Sequence, residues 1–262
     1  MTPSRICAAT GLALSPGPVA AFRVARESYG PVEPKPRAPG DDVAGWSRYD
    51  TIGRTLYAAD ELVTAYLELL APYRTEVHGH RRALQPLADF LRRPLDDLWK
   101  DVVADWERAG HMNAKWLPAI FREGRSVYEL TFPTGWWIDI TATETISALH
   151  ELFDAAWPTS HGQLTEPLTT SHLTSDDRVL TSAIAEKLRN DITLDDGSLP
   201  LGVRYVSKHG RPAAGTGTCW AYWMRYADAG LDEPVTVGNA KPIGTADKDF
   251  NEALKLYKIR AR

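Results

Sequence analysis

Cysteine is nearly absent. The 262-residue chain has two, Cys7 and Cys219, far apart and in no metal-ligand spacing. That excludes a disulfide-stapled scaffold and fits a reducing cytoplasm. No apolar run approaches the ~20 residues that a membrane span requires. The N-terminal ICAATGLALSPGPVAAF has a short apolar stretch, but one arginine precedes it and Pro16-Gly17-Pro18 interrupts it, so it is not expected to act as an export signal. Positive charge is not in excess either. Thirty Lys and Arg stand against 34 Asp and Glu, a net charge of -4, with a pI near 6.0. Direct nucleic-acid binding is therefore not expected, although a local basic cleft remains compatible with this balance. There is no internal repeat and no G-x-S-x-G elbow, which weakens a Ser-His-Asp hydrolase reading. Gly215-Thr216-Gly217 lacks the lysine and flanking glycine of a phosphate loop and reads as a turn.

What is present is the mix of an ordinary globular chain, 44% hydrophobic and 24% charged, with nine tryptophans. Residues 19–25 read as a first strand and 28–46, rich in Pro and Gly, as a loop. Residues 54–58 read as a short strand. Asp60 is a good N-cap for a helix whose apolar face is expected at Leu62, Ala65, Tyr66 and Leu69. Leu84, Leu87, Leu91, Leu95 and Leu98 mark helix over 81–109, with a break at Pro94. The 76–115 block reads as a helical insertion, a lid beside the active-site cleft or a partner-docking surface. Residues 126–132 and 136–140 flank a Pro-Thr-Gly turn and are expected to form a hairpin. Thr141 or Thr143 caps a following helix through Phe153, and 157–175 reads as a polar loop. Residues 177–190 read as an amphipathic helix, 201–207 and 218–226 as strands, and 250–260 as a last strand or helix. The irregular alternation predicts an α+β fold in one domain, with early and late strands closing a mixed, mostly antiparallel sheet.

One stretch concentrates chemistry. SRYDTIGRTLYAADELVTAYLELL, residues 47–70, gathers Arg48, Tyr49, Arg54, Tyr57 and Glu68. Guanidinium groups offer planar forks for phosphate, though surface charge is the commoner fate of arginine. Tyr57 suits either core packing or stacking on a flat ring. On a helical wheel Glu68 lies with Glu61 and Thr64 opposite the expected apolar face, so it is either solvated or the edge of a cleft. Ser207 ends a strand beside Lys208 and His209. His78 and His80 have the spacing of a metal pair but no third ligand at a convincing distance, so no metal is expected.

The order of these residues resembles the signature of the RES-domain family: an Arg-aromatic pair (Arg48-Tyr49), a glycine turn (Gly53), a strand with tyrosine (Tyr57), then an alanine-rich helix carrying a glutamate (Glu68). AFRVA, with Arg23, is similar to the family's opening strand, and GVRYVSKHG, with Ser207, to its late serine strand. YELTF and WWIDITATETISALHELF are similar to its central strands and helix. The resemblance covers most of residues 19–226. It implies a fold like that of ADP-ribosyltransferases and a toxin that degrades NAD, neutralised by an Xre-like helix-turn-helix antitoxin. The implied reaction cleaves the nicotinamide–ribose bond, with phosphate as co-substrate or water as acceptor and NAD as substrate rather than cofactor. Glu68, Arg48 and Ser207 would be catalytic, and Arg23, Tyr49 and Tyr57 would bind substrate. Three other readings stand beside it: an ADP-ribosyltransferase acting on a protein or nucleic acid, a noncatalytic nucleotide-binding module, and a metal hydrolase using His78 and His80.

Overall fold

The structure, a computed structural model, describes residues 3–108, 116, 117, 119–153 and 156–261, and the side chains of these except 74–83, 106, 107 and 116. Among the described residues, ten strands share one sheet. Its order is Arg5–Ile6, Ala13–Pro16, Trp136–Asp139, Gly202–Val206, Thr218–Trp223, Thr55–Ala59, Ala20–Arg26, Arg125–Thr131 and Thr236–Val237, with Lys241–Pro242 also on Arg125–Thr131. Trp136–Asp139 and Gly202–Val206 run parallel. The other neighbours are antiparallel. The class is α+β with a mixed sheet, as the alternation of elements predicts.

The expected hairpin at 126–140 does not form. Arg125–Thr131 and Trp136–Asp139 belong to the same sheet but four strands lie between them. Laid flat, five inter-strand spacings would separate them by roughly 24 Å. The five residue steps from 131 to 136 reach at most about 18 Å. The sheet must therefore fold back on itself, and the Pro-Thr-Gly segment crosses between its two halves instead of reversing one strand. Gly17, on the parallel crossing from Ala13–Pro16 to Ala20–Arg26, donates its N–H to the Gly135 carbonyl at 2.7 Å. Aromatic side chains fill the fold. Trp137 meets Phe132 edge-on at 5.3 Å and Trp220 at 4.9 Å.

Thr218–Trp223 shows why this strand reads as an unbroken apolar run. Cys219, Ala221 and Trp223 face one core, Trp220 and Tyr222 the other, the period-two alternation of a strand covered on both sides. Helix Arg178–Asn190 packs on the first core through Ile184 and Leu188. Its start is capped by Asp177, which accepts from the Leu180 N–H at 3.1 Å. Helices Leu62–Ala83 and Lys248–Tyr257 form a third core around Tyr66, Leu70 and Phe250. The ambiguous 250–260 stretch is thus chiefly helical, started by Asp247 accepting from Phe250 N–H. The 157–175 region is less loop-like than expected: Pro158–Thr159 pairs with Gly162–Gln163, and Thr170–Leu173 is a helical turn.

The apolar face of Leu62–Ala83 differs from the expected one by about one residue. Val63, Tyr66, Leu67 and Leu70 are the buried set, at i, i+3, i+4 and i+7. Apolar residues stand on nearly every side of 62–71, so periodicity alone does not choose which stripe meets Lys248–Tyr257. Thr64 is fully buried, and the side that carries Glu68 is not the solvated one. Farther along, helices Gln85–Leu91 and Leu95–Arg108 are separated around Pro94 as expected. No described helix is long and apolar enough to cross a membrane.

Gly202 sits where two strands press closest. A Cβ there would lie 1.9 Å from the Ala221 carbonyl oxygen. Gly202→Ala is expected to lower the unfolding free energy in urea by roughly 1–3 kcal/mol or more. Gly45→Ala, where a Cβ meets nothing within 4 Å, should stay within about 0.5 kcal/mol.

Candidate active site

The site begins where two neighbouring strands part. Ala20–Arg26 pairs with Arg125–Thr131 along its whole length, and Thr55–Ala59 with Thr218–Trp223 at five positions. Between Ala20–Arg26 and Thr55–Ala59 only Phe22 and Ala59 are in register. Arg23 fills the gap: its Nη1 donates to the Tyr57 carbonyl at 3.0 Å. A cavity of about 620 Å³ opens there, a size suited to a cofactor-sized ligand. The two strands supply Phe22, Arg23 and Tyr57 to its wall, helix Leu62–Ala83 supplies Glu68, and the 46–54 loop supplies Trp46 and Arg48. Asp176, Arg178, Tyr205, Lys208, His209 and Cys219 complete the rim and floor.

Its electrostatics are unlike those of the whole chain. Four cations (Arg23, Arg48, Arg178, Lys208) face two carboxylates (Glu68, Asp176), and 4 - 2 leaves a net charge of +2 in a protein whose net charge is -4. Asp176 occupies two of those cations, bridging Lys208 and Arg178. Burial pushes the Asp176 carboxyl up, but the Lys208 hydrogen bond and the charges of Lys208, Arg178 and Arg48 outweigh it and hold it below the usual carboxylate range. Arg23 and Arg48 have no carboxylate partner among the described residues. Arg48 is buried, donates through Nε to the Ser175 carbonyl at 3.2 Å, and lies 5.8 Å over the Tyr205 ring. Burial lowers the Arg23 pKa to about 10, and its Nε reaches no acceptor among the described residues. Glu68 is the counterpart: Oε1 is buried without a hydrogen-bond partner among the described residues, and Oε2 lies 4.0 Å from His209 Nε2. Leaving such groups unpaired costs about 1–3 kcal/mol or more apiece, so a ligand with matching charge has much to gain here.

Of the residues expected at the site, Arg23, Arg48, Tyr57 and Glu68 come together in one wall. Tyr57 offers its ring, since its hydroxyl donates to Asp50 at 2.9 Å and accepts from the Tyr49 N–H. Burial first, then the Asp50 charge, push that phenol far up. Tyr49 does not line the cavity. It is fully buried, meets Tyr205 at a tilt with ring centroids 5.0 Å apart and donates to the Leu173 carbonyl; the neighbour of an inward-facing Arg48 is turned into the core. Ser207 is also buried behind the wall, where its Oγ accepts from the His209 N–H at 3.2 Å. Arg54 points elsewhere, paired with Asp228.

Gly53 makes the turn that presents Arg48. Its φ is +95°, and a Cβ would fall 2.1 Å from Asp228 Oδ2. Arg189 locks the loop from below, donating to Thr51 Oγ1, the Ile52 carbonyl and Asp228. Glu61, the residue just before the helix that carries Glu68, is committed to the 215–217 turn through the N–H groups of Thr216 and Gly217. No wall residue comes from the described part of 84–108; the rest of the 76–115 block, where a lid or docking surface is expected, lies outside the described side chains at 76–83 and outside the described residues at 109–115. The side chains of His78 and His80 lie outside the described ones, and among the described residues no three His, Cys, Asp or Glu side chains gather as a metal site.

Trp46, Asp176, Arg178, Lys208, His209 and Cys219 are wall residues that the sequence did not single out. Lys208 and His209 directly follow Ser207, and that adjacency was their signal. Trp46 buries its indole N–H without a partner among the described residues, which no pattern foretells. Comparison of the chain with protein-family models, with curated proteins and with solved structures finds no match.

Burial lowers the His209 pKa below its ordinary 6.5, Glu68 opposes that shift, and Lys208 and Arg48 add to it. An NMR titration is expected to place His209 below about 6.5, and Glu68→Gln should lower it further. Unfolded histidine binds its proton at the higher pH. The linked penalty is therefore absent above about 6.5 and grows as pH falls through the folded value. A His209 that titrates at or above 6.5 contradicts this electrostatic account.

Proposed function

We propose that this cavity binds NAD and that the protein cleaves the bond between nicotinamide and ribose. The observation that carries the reading is the buried Glu68 Oε1, in one wall with two arginines, Arg23 and Arg48: among the described residues Oε1 has no hydrogen-bond partner and the arginines have no carboxylate partner. The RES-like order of these same residues supports it, and with it an ADP-ribosyltransferase-like reading of the fold. NAD presents the matching pattern. Its pyrophosphate carries two negative charges for the guanidinium groups. Its nicotinamide ring is flat and cationic, suited to the Tyr57 face.

The chemistry asks for little acid catalysis, because nicotinamide leaves as a neutral ring from a cationic one. The cost lies in the oxocarbenium-like ribose that remains. Glu68 stabilises that charge and holds a ribose hydroxyl. Arg23 and Arg48 hold the pyrophosphate so that the sugar carbon lies against the carboxylate. Ser207 acts from behind, fixing the backbone at His209. The acceptor is phosphate, giving ADP-ribose-1''-phosphate, or water, giving ADP-ribose. A chain with this activity would act as a toxin in the cytoplasm, where NAD is held, and would be kept silent by a cognate antitoxin of the Xre-like helix-turn-helix kind.

Purified Glu68→Gln is expected to release nicotinamide from saturating NAD about a hundredfold more slowly, since loss of one such electrostatic contact costs on the order of 3 kcal/mol. Glu144→Gln, an exposed residue, is the control that should match the parent. Folded Glu68→Gln at parental rate removes the carboxylate from the mechanism. In cells, expression without a partner should stop growth and deplete NAD. Arrest at normal NAD, with label from NAD appearing on a macromolecule, would replace degradation by ADP-ribosyl transfer.

A further inference from the structure

We propose that His209 is a second catalytic residue, the group that takes the proton from a water attacking the ribose carbon. The proposal rests on the NAD reading of the cavity and deepens it by assigning the acceptor step. Three observations carry it. His209 lines the same wall as Glu68. Its Nε2 stands 4.0 Å from Glu68 Oε2, too far for a direct hydrogen bond and close enough for both to contact one small molecule between them. Its backbone is pinned by the Ser207 hydroxyl at 3.2 Å and by the turn in which the Gly210 N–H donates to the Ser207 carbonyl, so the ring is carried on a fixed strand end.

The division of work follows from charge. Glu68 must remain a carboxylate to stabilise the cationic sugar, so it is ill suited to accept a proton at the same moment. A neutral imidazole beside it is suited. The charged groups around the ring are Glu68 from helix Leu62–Ala83, Arg48 from the 46–54 loop, Asp176 just before helix Arg178–Asn190 and Arg178 at its start, and Lys208 beside it. Burial with Arg48 and Lys208 keeps the ring unprotonated near neutral pH, and Glu68 and Asp176 stabilise the imidazolium once formed. In the step itself the C–N bond breaks and its electron pair goes to nicotinamide. A water lone pair forms the new C–O bond, and the water proton passes to His209 Nε2 and then to solvent. NAD and water give ADP-ribose, nicotinamide and one proton.

Phosphate separates this role from a structural one. As a dianion it attacks without losing a proton, so it needs no base. The full chain, His209→Gln and His209→Asn are assayed for nicotinamide release in phosphate-free buffer and with added inorganic phosphate. Without phosphate the folded variants should be about a hundredfold slower than the parent, with the KM for NAD unchanged. The parent should show an ascending limb with an apparent pKa below about 6.5 that the variants lack. With phosphate near pH 8 the variants should recover to within severalfold of the parent and form the sugar phosphate. Parental hydrolysis by a folded variant overturns the proposal, as does a parent pH profile on the acid side of about 6.5 that has the same shape as that of the variants. Equal loss in both buffers, with the parent competent in both, also overturns it. A parent that releases no nicotinamide in either buffer overturns the NAD reading itself.

Discussion

One hydrogen bond marks the point on which the site depends. Where Ala20–Arg26 and Thr55–Ala59 part, the Tyr57 carbonyl loses its place in the ladder and accepts from the Arg23 guanidinium. A buried carbonyl cannot be left unpaired cheaply, and arginine is long enough to bridge the widening gap. The same side chain thereby satisfies the backbone and holds a positive charge at the cavity wall. Replacement by an apolar residue would leave the carbonyl stranded, so structure and binding are joined in one residue.

The fold-back of the sheet gives that parting its depth. Two short crossings tie the halves together, and aromatic side chains around Trp137 fill the space between them. Helices Leu62–Ala83 and Arg178–Asn190 pack on different cores and approach the cavity from two directions. One brings Glu68, the other Arg178 and the preceding Asp176. The result is a basic pocket in an acidic protein, built from charges that are distant in sequence and diluted in any composition count.

Local signals were legible where local physics decides. Asp177 stands at the start of the helix read at 177–190, and a cap needs only three residues to act. The strand read at 218–226 forms over Thr218–Trp223, where both its faces are covered, and gives way to the helical turn Arg225–Asp228. Arg23, Arg48, Tyr57 and Glu68 were legible as a set because their order along the chain is distinctive, although each alone favours a bland fate. What failed was long-range. The Pro-Thr-Gly turn has the composition of a hairpin, and only the sheet order shows that it crosses between halves. The stripe on Leu62–Ala83 depends on Phe250 and its neighbours, nearly two hundred residues away. Tyr49 and Arg48 are adjacent, and nothing in their identity says which one turns inward.

The anchoring of the 46–54 loop has a consequence for where this protein can be cut. The residues with expected roles end at Ser207, which suggests that a fragment closing soon after the 218–223 strand would be sufficient. Yet Arg48 is presented by a turn that Asp228 buttresses through Arg54 and Arg189. Glu68 rides on a helix backed by Phe250 and tied to Asp247 through the Tyr66 hydroxyl at 3.0 Å. The smallest transplantable unit therefore runs through residue 257, and the C-terminal stretch is scaffolding for a site to which it contributes no wall residue.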